Sequence, residues 1–441
     1  MLRPMALLAL LVAPSTLSAG DWPQFRGPDG AGVSEETGLP DAWSATENVA
    51  WKVPVEGRGW SSPVVLGERI FLTTAVSGGE EETPKKGLYI GGNRDKPPEA
   101  PHRWVVLCLA AKDGKTLWEK TVRHSVPKHT HHLKNTFASE TPATDGERLY
   151  AYFGNVGLFA FDLDGKELWS KDLGSHATRY GWGTAASPVA HGGRVYVVND
   201  NEERSFLVAL DGKTGEEAWR VERDEKSNWA TPFVWRNKLR TEIVTNGSGR
   251  ARAYGLDGKL LWELGGMSTI TIPTPFASGN LLFIGSGYVM DEKRPMLAVR
   301  PGASGDISLA AGKTASDFVA WSGPKAAPYN PSPVVYRDRL YVLFDRNLLS
   351  AHEAASGKPL YEKQRLAQDA AAFTASPWAY EGNVFCLSED GDTFVVEAGP
   401  EFKLQRVNRL GEMCMATPAV ARGSLYIRSL GRLWKIRKAG S

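Results

Sequence analysis

Cysteine is scarce in this sequence. Cys108, Cys386 and Cys414 are the three cysteines among 441 residues, and an odd, scattered set cannot form the disulfide framework of a small stapled domain. Two interpretations stay open: Cys386 and Cys414 bridge in an oxidising compartment, or all three are buried thiols that behave as small hydrophobic residues. The sequence also contains no Cys-Cys pair, C-x-x-C, H-E-x-x-H or G-x-S-x-G motif. We therefore nominate no catalytic residue.

Long uncharged apolar segments are also missing. The apolar run from Met5 to Ala13 is too short to cross a bilayer, and no later segment approaches eighteen uncharged apolar residues. The run follows the positive residue Arg3 and precedes Ser-Ala-Gly at 18–20. This order predicts a cleaved secretory leader over residues 1–20, and hence an exported protein, periplasmic or extracellular. Because no cysteine follows the leader directly, we expect no lipid anchor.

Neither sign of charge is in excess. The 52 Lys and Arg residues nearly balance the 50 Asp and Glu residues, so the charge gives no indication of a nucleic-acid partner. By contrast, 46 Gly, 27 Pro and 15 Trp are an unusual combination. Glycine and proline mark turns, and so many tryptophans need many similar packing sites. The composition predicts a many-stranded repeat protein.

A Ser-Pro or Thr-Pro dipeptide followed by two short apolar runs occurs eight times. The hydroxyl residues of these dipeptides are Ser62, Thr141, Ser187, Thr231, Thr274, Ser332, Ser376 and Thr417. Most spacings lie near 44 residues, and the longer first and fifth units place insertions at about 76–103 and 285–317. Each unit has four short apolar runs separated by turn residues, as in a four-stranded meander. The pattern predicts an all-β fold, an eight-bladed β-propeller of four-stranded antiparallel blades.

An Asp-Gly turn that leads to an aromatic residue is the second repeated feature. We predict that these aromatic residues wedge between blades, at Trp51, Trp118, Trp169, Trp219, Trp262, Trp321 and Tyr361. The last unit is one strand short, and residues 48–55 resemble the Trp-containing outer strands. We therefore expect the N-terminal strand to close the ring. The chain then divides into the leader, an N-terminal extension at 21–47, the propeller at 48–437 and a tail at 438–441.

The segment ALDGKTGEEAW, from Ala209 to Trp219, matches the docking mark A-x-D-x-x-T-G-x-x-x-W. On these residues the chain resembles the pyrroloquinoline-quinone-like propeller repeats, over about residues 48–437. Two branches of that fold have known functions: the quinoprotein alcohol dehydrogenases, and the propeller subunit of the outer-membrane β-barrel assembly machinery, a non-enzymatic lipoprotein scaffold. The segments DWPQFRGPDGAGVSEETGL and KNTFASETPATDGERLYAYFGNVGL are similar to secreted propeller proteins of environmental bacteria.

The dehydrogenase branch implies a quinone held under an adjacent Cys-Cys pair, with Ca²⁺ bound by Glu, Asn and Asp side chains. The cysteine pair is absent and no matching calcium set is evident, so we expect no cofactor. Histidine is concentrated in the first unit, at His102, His124, His129, His131 and His132. These positions lack a tetrahedral ligand spacing, and we expect a polar surface loop and no metal site.

The segments that precede the eight dipeptides enter the innermost strands, so their side chains should meet at one mouth of the channel. The candidate binding residues are Trp60, Asn135, Glu140, Arg179, Trp182, Trp229, Tyr329, Asn330 and Met415. Alternatively, these residues only fill the channel. We expect the first insertion to cap one face.

The expected function is an exported, non-catalytic scaffold that binds a protein or a saccharide. The alternatives are a pyrroloquinoline-quinone-dependent oxidoreductase and a glycan-binding accessory protein.

Overall fold

The repeats fold into eight β-sheets around a central channel. The computed structural model of the chain describes residues 20–88, 91–94, 96–370 and 372–439. The predicted leader lies outside the described residues, except for its last position. Within the described part, helix is limited to one 3-10 turn at Arg179–Gly181, and no helix is long and apolar enough to span a membrane.

The first four blades follow the first strand in chain order. Strand β1 is Val49–Pro54. Blade one contains β2 (Val64–Leu66), β3 (Arg69–Ser77), β4 (His102–Ala110) and β5 (Thr116–Ser125). Blade two contains β6 (Ala143–Thr144), β7 (Arg148–Phe153), β8 (Gly157–Asp162) and β9 (Glu167–Lys171). Blade three contains β10 (Val189–His191), β11 (Arg194–Asn199), β12 (Ser205–Asp211) and β13 (Glu217–Arg223). Blade four contains β14 (Phe233–Arg236), β15 (Thr241–Asn246), β16 (Arg250–Tyr254) and β17 (Leu260–Gly265).

The last four blades complete the ring. Blade five contains β18 (Phe276–Ser278), β19 (Leu281–Gly285), β20 (Met296–Val299) and β22 (Val319–Gly323), with the short β21 (Gly305–Asp306) between the last two. Blade six contains β23 (Val334–Tyr336), β24 (Arg339–Phe344), β25 (Leu348–Glu353) and β26 (Pro359–Arg365). Blade seven contains β27 (Trp378–Tyr380), β28 (Asn383–Leu387), β29 (Asp392–Glu397) and β30 (Leu404–Arg409). Blade eight contains β31 (Ala419–Ala421), β32 (Ser424–Arg428) and β33 (Arg432–Ile436), joined by β1.

The N-terminal strand closes the ring, as predicted. Strand β1 pairs antiparallel with β33, and Lys52 lies opposite Trp434. The sheet order is β1-β33-β32-β31, so the last blade has its four strands and its outer edge is covered. The predicted fold class, an eight-bladed all-β propeller of antiparallel four-stranded blades, is confirmed.

The fifth unit departs from the simple repeat. Strand β20 divides the predicted insertion at 285–317 into two loops, residues 286–295 and 300–318. The second loop carries β21, which pairs in parallel with β17 and gives the fourth sheet a fifth strand. The first loop lies at the channel mouth, where it contributes to the cavity described below.

Five of the predicted docking tryptophans make the same contact with the following blade. In each, the indole N–H donates to a turn carbonyl at 2.8–3.1 Å: Trp51 to Ala111, Trp118 to Leu163, Trp169 to Gly212, Trp219 to Leu256 and Trp321 to Ala354. Each indole also covers a turn glycine with positive φ, where an added Cβ would lie 2.6–3.0 Å from the ring: Gly114, Gly165, Gly215, Gly258 and Gly357. The repeated Gly therefore serves both the turn and the interblade contact.

The other two predicted docking residues differ. Trp262 is buried in the core that blades four and five share, but its indole N–H donates to the Glu242 carboxylate of its own blade at 2.7 Å. Tyr361 contacts Phe402 of the next blade, with ring centroids 5.8 Å apart. The blade-five turn is remodelled by β21, which explains why Trp262 has no matching turn carbonyl.

All three cysteines are free and buried. The interpretation in which Cys386 and Cys414 form a bridge is wrong, and the buried-thiol interpretation describes them. Burial raises the pKa of the Cys108 thiol to about 12, so this group stays protonated and unreactive at neutral pH.

Candidate functional site

The eight Ser/Thr hydroxyls of the repeat form a circular hydrogen-bonded belt around the channel, which we call the hydroxyl belt. In seven of the eight blades, the backbone N–H of one belt residue donates to the hydroxyl of the next at 2.9–3.3 Å. The bonds run in order through Ser62, Thr141, Ser187, Thr231, Thr274, Ser332, Ser376 and Thr417. Among the described residues, the Ser62 Oγ has no hydrogen-bond partner, so the belt is open where blade eight meets blade one.

The N-terminal extension closes one end of the channel. Residues 21–36, the plug, cross from blade to blade on the inner strands. Trp22 exchanges two backbone hydrogen bonds of 2.8 and 2.9 Å with Val65 of blade one, and Val33 bridges Ala379 of blade seven. Because these partners lie three residues beyond their belt hydroxyls, the plug sits about 10 Å further along the channel.

Arg26 of the plug reaches into the ring. Its guanidinium lies over the Phe276 ring of blade five and donates to the Pro333 carbonyl of blade six at 2.5 Å. Burial lowers the pKa of Arg26 to about 9. Asp29 pairs with Arg236 of blade four at 2.6 Å. The plug thus contacts blades on all sides of the channel.

The other end of the channel opens into a cavity of about 540 Å³, the mouth cavity. All eight belt hydroxyl residues line it, and Phe25 of the plug faces it from within the channel. The structure brings together seven of the predicted binding residues on its wall: Trp60, Asn135, Trp182, Trp229, Tyr329, Asn330 and Met415. The cavity is therefore blind, with the plug at its inner end.

Two predicted binding residues lie off the cavity wall. Glu140 is buried beneath the belt, where its carboxylate accepts from the Gly154 N–H at 3.1 Å. Burial raises the pKa of Glu140 to about 7. Arg179 lies outside the wall, over the ring of Tyr180, and donates to the Thr269 carbonyl at 3.3 Å.

Aromatic rings cover one side of the cavity. Trp182 lies 5.6 Å from Trp229 and 5.2 Å from Tyr180, measured between ring centroids, and Tyr288 lies 5.3 Å from Tyr329. Trp229 is buried and donates its indole N–H to the Gly183 carbonyl, whereas Tyr180 is 53% exposed. Tyr180 also has φ of 55°, a left-handed conformation that a bulky residue rarely adopts. Such strain is concentrated at functional sites.

The first insertion covers the mouth. The first insertion joins β3 to β4, and its described residues, 78–88, 91–94 and 96–101, which we call the cap, place Leu88 and Asn93 on the cavity wall. The side-chain amide oxygen of Asn93, Oδ1, accepts the indole N–H of Trp182 at 2.6 Å. At the far side, the Gly87 N–H donates to the Glu389 carboxylate of blade seven at 2.7 Å. The cap therefore spans the opening between distant blades.

The charges on the cavity wall are of one sign. Its cationic side chains are Lys134 and Arg346, and none of the described lining residues is Asp or Glu. Lys134 is paired at 2.5 Å with Glu389, which is buried behind the wall. Arg346 is exposed, and no hydrogen bond or ion pair of its side chain is found among the described residues. The wall consequently presents one uncompensated positive charge.

The histidine-rich region is only partly a surface loop. His102 and His131 are buried, and His131 packs edge-on against Phe137 with centroids 4.5 Å apart. Burial lowers the pKa of His131 to about 4, so the ring is neutral and accepts from Arg94. The described residues contain no group of three or more His, Cys, Asp or Glu side chains that could hold a metal ion.

Sequence reasoning missed several wall residues. Phe25 lies in the extension, Tyr288 and Met290 in the fifth-unit insertion, and Arg346 in the turn between β24 and β25. None of these residues directly precedes a Ser/Thr-Pro dipeptide, the feature that predicts the mouth residues. The hydroxyl belt could have been predicted, because every repeated proline follows a Ser or Thr residue. The turn preference of proline does not by itself explain why a hydroxyl residue precedes it.

Comparisons with known proteins agree with this architecture. A family model described as outer membrane protein assembly factor BamB matches residues 102–288. No curated protein matches the sequence. BamB from Moraxella catarrhalis is similar in structure, with a TM-score of 0.58 and 12% identity over 89% of this chain and 98% of that chain. The quinohemoprotein alcohol dehydrogenase from Comamonas testosteroni gives a TM-score of 0.59 and 12% identity over 97% of this chain and 82% of that chain.

At 12% identity these two structures show the fold alone. Together with the family model, they confirm the resemblance of this chain to the pyrroloquinoline-quinone-like propeller repeats, both the assembly-factor and the dehydrogenase branches.

Proposed function

We propose that this protein is an exported, non-catalytic propeller that binds its ligand or partner in the mouth cavity. The observation that carries the proposal is the cavity itself: a blind space of about 540 Å³, walled by aromatic rings and ringed by hydroxyls. This volume lies within the usual range of ligand sites, and aromatic walls with a few polar groups are typical of them. Export is supported by the leader-like residues 1–20 of the sequence.

The exposed rim supports recognition of an external molecule. Tyr180, Val289 and Met290 line the cavity and are 53%, 37% and 68% exposed, which is unusual for large apolar side chains grouped together. Grouped exposed apolar residues mark interaction sites. If the wall residues only filled the channel, an exposed apolar rim would not be needed, because the plug already closes the inner end.

The wall residues do not fit a quinone with calcium. Ca²⁺ prefers carboxylate and carbonyl oxygens, and the described cavity wall has no carboxylate. Cys386 and Cys414 are buried in interblade cores, away from the wall, so no thiol pair covers the space. We therefore derive no redox step for this site.

The deciding experiment is calorimetric titration of the purified protein with pyrroloquinoline quinone in the presence of Ca²⁺. We expect no submicromolar binding and no dye-linked oxidation of alcohols. Tight binding together with turnover would replace the scaffold by the oxidoreductase.

A variant pair tests the site. Trp182→Ala removes a half-buried ring of the wall, and Leu117→Ala removes an exposed apolar side chain of an outer strand far from it. Any ligand or partner recovered with the protein should be lost from Trp182→Ala and kept by Leu117→Ala, since a central aromatic contact contributes about 2 kcal/mol or more. Equal retention by both variants would place binding elsewhere.

A further inference from the structure

We infer that the mouth cavity binds an acidic saccharide, a short sugar chain that bears carboxylate groups. This inference rests on the proposed function, since it names the ligand class of that same cavity. Three independent features carry it: the sign of the charge on the wall, the faces that the aromatic rings present, and the alcohol groups of the hydroxyl belt.

The charge selects an anionic ligand. Arg346 has no ion-pair partner among the described residues, and both carboxylate oxygens of its neighbour Asp345 are directed at the backbone N–H groups of residues 329 and 330, at 3.0 Å. No carboxylate lies on the described wall to repel an incoming anion, and Glu389 behind it is paired with Lys134. A guanidinium binds a carboxylate with two parallel, charge-assisted hydrogen bonds, so it discriminates acid from neutral ligands.

The three tryptophans of the wall do not offer their polar edges to a ligand. The indole N–H groups of Trp60, Trp182 and Trp229 are all taken, by Lys134, Asn93 and Gly183 respectively. What the ligand meets is ring surface, which suits a flat, partly apolar body such as the C–H face of a sugar ring. Trp182 and Tyr180, with centroids 5.2 Å apart, form the most accessible pair.

The hydroxyl belt favours a saccharide over a peptide. Each belt hydroxyl that accepts a backbone N–H still has its own O–H to donate, and alcohol groups both donate and accept, as sugar hydroxyls do. One common mode of extended-peptide recognition, strand addition to a sheet edge, needs free backbone N–H and C=O groups. At this mouth the belt has already used the backbone N–H of seven of its eight residues, so the wall offers few such groups.

Trigalacturonic acid, its methyl ester and neutral maltotriose are the probes for this inference, with tryptophan fluorescence and calorimetry as readouts. We expect trigalacturonic acid to bind the wild-type protein and to quench fluorescence. The methyl ester and maltotriose should bind at least about tenfold more weakly, because they lose the charge-assisted bond to Arg346. Equal affinity for the acid and its ester would overturn the inference, as would no binding of the acid at millimolar concentration.

Arg346→Gln should weaken binding of trigalacturonic acid about tenfold and leave maltotriose unaffected, and Arg346→Lys should recover part of the loss. The matched control is Arg365→Gln, an exposed arginine on the outer strand of the same blade, which should behave as wild type. An unchanged affinity in Arg346→Gln overturns the inference.

A short oligoglutamate peptide is the competing ligand. If it binds more tightly than trigalacturonic acid, with the same dependence on Arg346, the partner is an acidic protein segment and the saccharide assignment is wrong. In either case Trp182→Ala still reports on the cavity. Binding in the mouth cavity, on which the proposed function depends, is therefore ruled out separately, when Trp182→Ala leaves every bound ligand in place.

Discussion

The indole of Trp51 covers Gly114, and its N–H donates to the Ala111 carbonyl oxygen at 3.1 Å. Trp51 belongs to the first strand of the propeller but lies in blade eight, whereas Gly114 is the turn glycine of blade one. One side chain therefore joins the two blades at which the chain begins and ends the ring. The hydroxyl belt is open at this same junction, at Ser62. The junction between blades eight and one therefore depends more on the Trp51 contact, because it lacks the belt hydrogen bond.

Trp51→Ala should lower the free energy of unfolding by about 3 kcal/mol, the lower end for loss of a large aromatic side chain, because Trp51 is half-buried. Urea denaturation measures it. Leu117→Ala, at a 52% exposed position of an outer strand, is the control and should change stability by less than about 0.5 kcal/mol. If both variants unfold like wild type, the ring does not depend on the Trp51 contact.

The hydroxyl belt predicts that a Ser→Ala substitution lowers the free energy of unfolding by different amounts at two equivalent positions. Ser376 accepts the backbone N–H of Ser332 at 2.9 Å, whereas the Ser62 Oγ accepts no hydrogen bond among the described residues. Both side chains are buried. Ser376→Ala leaves a buried N–H unsatisfied and should cost about 1 to 3 kcal/mol, but Ser62→Ala should be close to neutral. Equal costs in urea denaturation would show that the belt bonds do not stabilise the ring.

The repeat made the fold predictable. The eight Ser/Thr-Pro dipeptides and the Asp-Gly turns each recur at the blade spacing, so local turn chemistry and the global ring agree. Ring closure by β1 followed from the Trp51 pattern. The plug could not be predicted in the same way, because residues 21–36 occur once and form two single bridges, at Trp22 and Val33, rather than strands. A segment without a period carries no register information.

The wall of the cavity was predictable where it belongs to the repeat. Trp182 and Trp229 precede belt residues of neighbouring blades, and both lie on the wall. Glu140 also precedes a belt residue but turns inward to the Gly154 N–H, since side-chain direction on an irregular segment is set by its hydrogen bonds. Arg346 lies in the hairpin turn between β24 and β25, and the repeat pattern does not predict that this turn reaches the channel mouth.

Trp182 and Trp229 should respond differently to truncation, although they contact each other at 5.6 Å. Trp229 is 7% exposed and bonded to the Gly183 carbonyl, so Trp229→Ala should cost about 3 to 5 kcal/mol of stability. Trp182 is half-buried, so Trp182→Ala should cost less and weaken ligand binding instead. Paired measurements of melting temperature and probe affinity separate the two roles. Large, equal losses of stability with unchanged affinity would make both residues structural.

Glu140 should make the stability of the protein depend on pH. Burial raises its pKa from the ordinary 4.5 to about 7, so the folded state holds a proton that the unfolded state releases between those values. The stabilisation is complete below about pH 4.5 and is lost as the pH rises through about 7. Glu225 and Asp345, whose pKa values burial raises to about 7 and about 6, titrate in the same range.

A comparison of wild type with Glu140→Gln isolates the contribution of this one carboxyl, because the other buried carboxyls are present in both proteins and cancel. The glutamine can still accept the Gly154 N–H, but it cannot ionise. Its unfolding free energy relative to wild type should therefore rise by about 3 kcal/mol between pH 4.5 and pH 8, because the pKa of Glu140 rises from 4.5 to about 7 on folding and each unit corresponds to about 1.4 kcal/mol. The exposed Glu401→Gln is the control for a change of charge alone. Parallel pH profiles for wild type and Glu140→Gln would mean that folding does not raise the pKa of Glu140.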